Sequence, residues 1–193
     1  MTQAPAQSGP VSGYRLVVPD GWFGIDLDPA WRERAVTALA RRQFAGLDHA
    51  PRLRAQARDD LLARAADAYA AGGLEMFLSL AQIAGVPLPA SLVIFAVPPP
   101  DGTRQTAASL AAALRGGGRQ VSVVDLPAGR SVRSLQRGEP ENPDTVSCGL
   151  EMFVPVPGGG GWLLLSFATS PGPLAMAMTR LFDAVCTTLR WDQ

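Results

Sequence analysis

Two runs in the chain carry apolar residues in both alternating sets of positions: Leu92-Val93-Ile94-Phe95-Ala96-Val97, and Trp162 to Phe167. A strand with one wet face alternates polar with apolar, so a strand apolar on both sides is covered on both sides. These two segments are expected in the middle of one sheet, roofed by helices above and below. Pro98-Pro99-Pro100 closes the first of them, because proline has no N–H to give a ladder.

Weaker alternation marks the other strands. Tyr14 to Val18 and Trp22 to Leu27 flank a Pro19-Asp20-Gly21 turn. The mostly apolar stretch Leu74 to Val97 is long enough to cross a bilayer. Glu75 and Gln82 interrupt it, and Gly85-Val86-Pro87-Leu88-Pro89 splits it into strand-length halves, so it reads as a buried hairpin. Val121 to Leu126 and Ser131 to Gln136 flank Pro127-Ala128-Gly129, and Val146 to Val156 pairs with Trp162 to Ala168 across Gly158 to Gly161. The Ser131–Gln136 segment alternates weakly and carries Arg133, which suits an edge.

Helical spacing fills the gaps. Asp28-Pro29 opens a helix, with Asp as cap and Pro at the first helical position, and Gly46 stops it. Trp31, Ala35, Val36 and Leu39 share its apolar arc, opposite Arg34, Thr37 and Arg41. A second helix follows Pro51 with Leu53, Ala57, Leu61, Ala65 and Ala68 inward, and ends at Gly72-Gly73. A third runs from about Thr103 to Arg115. The last follows Ser170-Pro171 with Leu174, Met178, Leu181, Val185 and Leu189 on one stripe. Hairpins between helices predict an α+β fold: an antiparallel β-sheet sandwiched between α-helices, one domain over 14–193 behind a disordered tail at 1–13. Leu74-Glu75-Met76-Phe77 and Leu150-Glu151-Met152-Phe153 each open a hairpin followed by a helix, a weak echo of a ββα duplication.

Composition narrows the function classes. The 193 residues suit one domain, and the formal net charge is zero, against a nucleic-acid or membrane-surface role. All 17 basic residues are Arg, so lysine Schiff bases and the P-loop lysine are excluded. Two cysteines are too few for a secreted disulfide scaffold. Met1 to Gly13 has neither the basic start nor the apolar core of a signal peptide, and the cytoplasm is the expected compartment.

The order of elements carries a resemblance. An opening Tyr14-Arg15-Leu16 strand leads to Pro19-Asp20-Gly21-Trp22. Helices follow, then hairpins flanking a helix, then Trp162 to Phe167 running into the helix with Leu181-Phe182. This resembles the PsbP-like α/β/α sandwich, shared by the photosystem oxygen-evolving subunit, the Ran-binding nuclear import factor, mycobacterial surface lipoproteins and bacterial chaperones that guard secreted effectors. The resemblance spans nearly the whole ordered chain and lies in topology. No diagnostic motif matches, so no functional residue is carried over. It implies non-catalytic binding of another protein, with an adaptor or chaperone of a secretion or toxin system as the narrower expectation.

Candidate chemistry is thin. His49 is the only histidine, and a dyad with Cys148 or Cys186, or a pair with Asp48, stays open because dyad partners need not be neighbours. Both cysteines fall among apolar neighbours and read as small core residues. Asp26 and Asp28 offer oxygens to a hard cation, but capping accounts for Asp28 and a solvent face for Asp26. Asp59-Asp60 sits in an arginine-rich helix where local pairs such as Asp60 with Arg64 explain it. Gly116-Gly117-Gly118 follows a helix and Gly158 to Gly161 joins strands, so neither is a phosphate cradle. No cofactor or metal is expected.

Surface positions remain. Phe44 lies off the apolar arc of its helix beside Arg41 and Arg42, and Pro98, Pro99 and Pro100 form a stiff extended run that a partner could read. These six are the candidate partner-binding residues. The loop Arg137 to Asp144 and the glycine-rich hairpin tip are further contact points, with a solvated loop as the plain alternative. Another protein is the expected partner, and a homodimer is a further option. The rival reading is an apolar small-ligand pocket, or a weakly marked enzyme, between sheet and helices.

Overall fold

In the computed structural model the described residues are 13–43, 51–83, 86–99, 105–137, 148–169 and 174–192, and the structural statements below concern them. In chain order the elements are β1 (Gly13–Arg15), β2 (Trp22–Asp26), α1 (Pro29–Gln43), α2 (Pro51–Ala70) and β3 (Gly73–Ser79). Then come the short β4 (Gln82–Ile83) and β5 (Val86–Pro87), β6 (Ala90–Val97), α3 (Ala107–Leu114), β7 (Gln120–Leu126) and β8 (Gly129–Arg137). The chain closes with β9 (Cys148–Pro155), β10 (Trp162–Thr169), α4 (Ala175–Thr187) and β11 (Arg190–Asp192). Seven strands form one antiparallel sheet in the order β2-β3-β6-β10-β9-β8-β7. The fold is α+β, and the two strands apolar in both sets, β6 and β10, sit side by side at its centre.

Residue alternation sorts the sheet into two faces. On one, Leu92, Ile94, Leu150, Met152, Leu165 and Phe167 lie under Met178, Phe182, Val185 and Cys186 of α4. Phe182 stacks on Phe167 with ring centroids 4.7 Å apart and meets Trp22 edge-on. The opposite face is covered at its flanks. Val36 and Leu39 of α1 and Ala65 of α2 pack on Ile25 and Met76, while Ala107, Leu110 and Ala111 of α3 pack on Val132, Phe153 and Trp162. Between the flanks Val93, Phe95, Leu164 and Ser166 are half-buried. The expected roof on both sides is therefore complete under α4 and parted along the middle of the other face. Met76 and Met152 of the repeated tetrapeptide face opposite sides, as do the helices that follow the two hairpins. A two-fold relating antiparallel neighbours would keep them on one side, so the echo is not a duplication of this kind.

Several expectations are corrected. β1 does not pair with β2 across the Pro19-Asp20-Gly21 turn; it pairs with the C-terminal β11, which the hydrophobic pattern does not mark. The edge on that side is β7, and β8 lies one strand inside it. Arg133 of β8 is there for another reason: it forms a two-pronged ion pair with Asp183 of α4, at 2.7 and 3.0 Å. Trp31 and Leu53, assigned to apolar arcs, are 54% and 60% exposed. α3 starts at Ala107, because Thr106 and Ser109 exchange hydrogen bonds as a capping box at its end. Asp28 caps α1 as expected, accepting from the Ala30 N–H at 2.8 Å, and Asp26 accepts from the Asp28 N–H.

Candidate functional site

Two surface features stand out, at opposite ends of the divided face. The first is a cleft of about 380 Å³ where Trp162 of β10 lies opposite Val97 of β6. Pro99, Pro155, Val156 and Trp162 give it apolar walls, and Arg130 stands at its margin. Trp162 Nε1 donates to Gln105 Oε1 at 3.2 Å, which ties the lead-in of α3 to the sheet. The glycine-rich hairpin tip forms the rim. Gly161 has φ +95°, and a Cβ there would overlap the Val97 carbonyl, so only glycine lets the tip close over β6. At the α3 N-terminus the Thr106 and Ser109 N–H groups are taken up by the capping box.

The second feature is the helical arm α1–α2. At 1.5 Å per residue the twenty residues of α2 span about 30 Å, against about 23 Å for the seven of β3. The C-terminal end of α2 is pinned: a Cβ on Gly73 would meet the Ala68 carbonyl at 2.6 Å, so glycine brings the helix hard against β3. The surplus length overhangs the other end, where residues 51–56 are all exposed. Ala65 is the one residue of α2 that is fully buried. Arg32 of α1 lies over the Tyr69 ring of α2 and Arg34 over Trp31, cation–π contacts on an open surface. Near the overhang, a groove of about 300 Å³ runs between the helices over Ala40, Pro51 and Ala55, flanked by Arg41, Arg54 and Arg58.

The structure divides the sequence candidates between these features. Arg41 lines the groove and Arg42 is exposed in the same last turn of α1. Pro99 lines the cleft beside the more exposed Pro98. Phe44 and Pro100 lie outside the described residues, as do His49 and most of the Arg137–Asp144 loop. Cys186 is free and wholly buried, and burial together with Asp183 pushes its thiol pKa up, so it is an unreactive core residue. The ion pair of the acidic step in α2 is Arg58–Asp59 at 3.2 Å.

Sequence reasoning missed two things. Eight of the 17 arginines fall in α1 and α2 against four acids, so a chain of zero net charge carries a basic arm on an acidic remainder. That imbalance was visible as a local count. The second is a set of titratable groups on the α4 face: Glu75 of β3 lies opposite Asp26 of β2, beneath Tyr14 of β1. Burial and the Asp26 carboxylate raise the Glu75 pKa, and contact with Tyr14 offsets part of the rise. The Tyr14 hydroxyl is itself buried, with no acceptor in good geometry, and its pKa is pushed up by burial first and by Glu75 next.

Comparison with family models, curated proteins and solved structures gives no match. No helix among the described residues is long and apolar enough to cross a membrane.

Proposed function

We propose that the protein performs no chemistry of its own and works by holding another protein on the α1–α2 arm, in the manner of an adaptor or chaperone of a bacterial secretion or toxin system. One observation carries this reading: α2 is twenty residues long and fully buries a single alanine. Helices in proteins are held chiefly by packing of an apolar face, and isolated ones are marginal. A partner laid on the arm would supply the missing contact, and Leu53 and Trp31 are already exposed there. The PsbP-like order of elements supports the same role by analogy alone.

A second reading rests on the cleft. Its volume falls in the range of small-ligand pockets, and its walls are mainly apolar with a few polar groups at the margin. One experiment separates the two: purification of the tagged chain from its native cells, followed by mass spectrometry of protein and small-molecule fractions. The expected result is a stoichiometric protein that is lost from a Trp31→Ala, Leu53→Asp variant, whose changes are exposed and leave folding intact. Recovery of no stoichiometric protein counts against the first reading. A small molecule retained one per chain favours the second.

A further inference from the structure

We infer that the groove between α1 and α2 takes an acidic segment of a partner protein, one that sets apolar side chains between carboxylates. This rests on the protein-binding reading above and names the chemistry of the partner.

The argument is one of charge and shape. Arg41, Arg54 and Arg58 flank a floor of Ala40, Pro51 and Ala55, so cationic walls enclose an apolar bed. Of these three arginines only Arg58 has an ion-pair partner among the described residues, its neighbour Asp59, and that pair is exposed. Arg41 and Arg54 therefore present unpaired guanidinium groups across a groove a few residues long. Guanidinium binds carboxylate in a planar two-pronged geometry. The apolar bed adds what a purely electrostatic contact lacks, a place for a leucine-sized side chain.

The same features disfavour a nucleic acid. A phosphate backbone is read by a run of cations along its length, or by aromatic platforms for its bases. Among the described residues the groove is short and no aromatic residue lines it. Beyond the arm the remainder of the chain carries an excess of acids equal to the arm's excess of arginines, which repels a long polyanion. A short acidic segment meets only the basic part.

Binding is tested by fluorescence anisotropy with the full chain and a fluorescein-labelled peptide of about 15 residues alternating Leu and Glu. A Leu–Lys counterpart and an oligothymidylate of similar length serve as comparisons. The Leu–Glu peptide is expected to bind at low salt and to weaken steeply as sodium chloride is raised through physiological strength. Each of Arg41→Gln and Arg54→Gln lowers affinity by about two- to five-fold, as for exposed ion pairs. Reversal of Arg41, Arg54 and Arg58 to Glu abolishes binding, with circular dichroism confirming the fold. The salt dependence of the unaltered chain keeps the test decisive if the triple variant misfolds. Absent binding at low salt, binding that ignores salt, or equal binding of the Leu–Lys peptide overturns the inference. Tighter binding of oligothymidylate does so in favour of nucleic acid. If the peptide fails while the native-cell purification still yields a partner lost on Leu53→Asp, the acidic chemistry is wrong and the protein-binding reading stands.

Discussion

At the scale of single residues, Glu75 is the side chain whose position has the clearest thermodynamic consequence. Its pKa is raised above the ordinary 4.5 by burial first and by Asp26 second, so the folded protein holds its proton more tightly than the unfolded chain does. Stability from this group is fully present below about pH 4.5 and is lost as pH rises through the raised folded value. Glu75→Gln removes that loss. Urea unfolding is expected to give a higher midpoint for Glu75→Gln than for the natural chain at pH 7, with the two converging near pH 4. Coincident midpoints at both pH values would contradict it. A glutamate in a strand reads from sequence as solvent-facing; only its placement between Asp26 and Tyr14 makes it half-buried.

At the scale of elements, α4 holds the closed face of the sheet and was the most legible helix. Of its expected stripe, spaced at 3.6 residues, Met178, Val185 and Leu189 are buried and Leu181 half-buried, while Leu174, just ahead of the helix, is 44% exposed. Phe182 anchors it between the Phe167 and Trp22 rings. Phe182→Ala is expected to cost about 3–5 kcal/mol through lost contact and the cavity left behind, a large part of the ~5–15 kcal/mol of a whole domain. Chemical denaturation should show this as a lower midpoint at unchanged slope. The helices of the arm were less legible. Alanine fills both sides of their wheels, so spacing alone points Trp31 and Leu53 inward, and no element among the described residues covers them. Arg133 shows the same difficulty in a strand: its charge suggested an edge, whereas Asp183 on α4 supplies a partner that sequence distance hides.

At the scale of the whole molecule, the first and last strands are stitched together. β1 pairs with β11, Arg15 with Asp192 at 2.7 Å, and the Trp191 indole donates to the Ala128 carbonyl at the β7–β8 turn. Ending the chain at Leu189 is expected to release β1: amides of residues 13–15 then exchange at near-unfolded rates while those of β10 stay protected. Protection of residues 13–15 that survives truncation would show that β1 is held by the sheet instead.

The sequence by itself determined the local and the central. Strand and helix periods, the Asp28 cap and the double-sided apolarity of Leu92–Val97 and Trp162–Phe167 fixed an antiparallel sheet with those strands in its middle, since burial on both faces leaves a mark at every position. Tertiary structure alone decided which distant strands pair and which face is roofed completely. Those outcomes depend on contacts between residues up to about 180 positions apart, and neither periodicity nor composition encodes which distant partner a segment will meet.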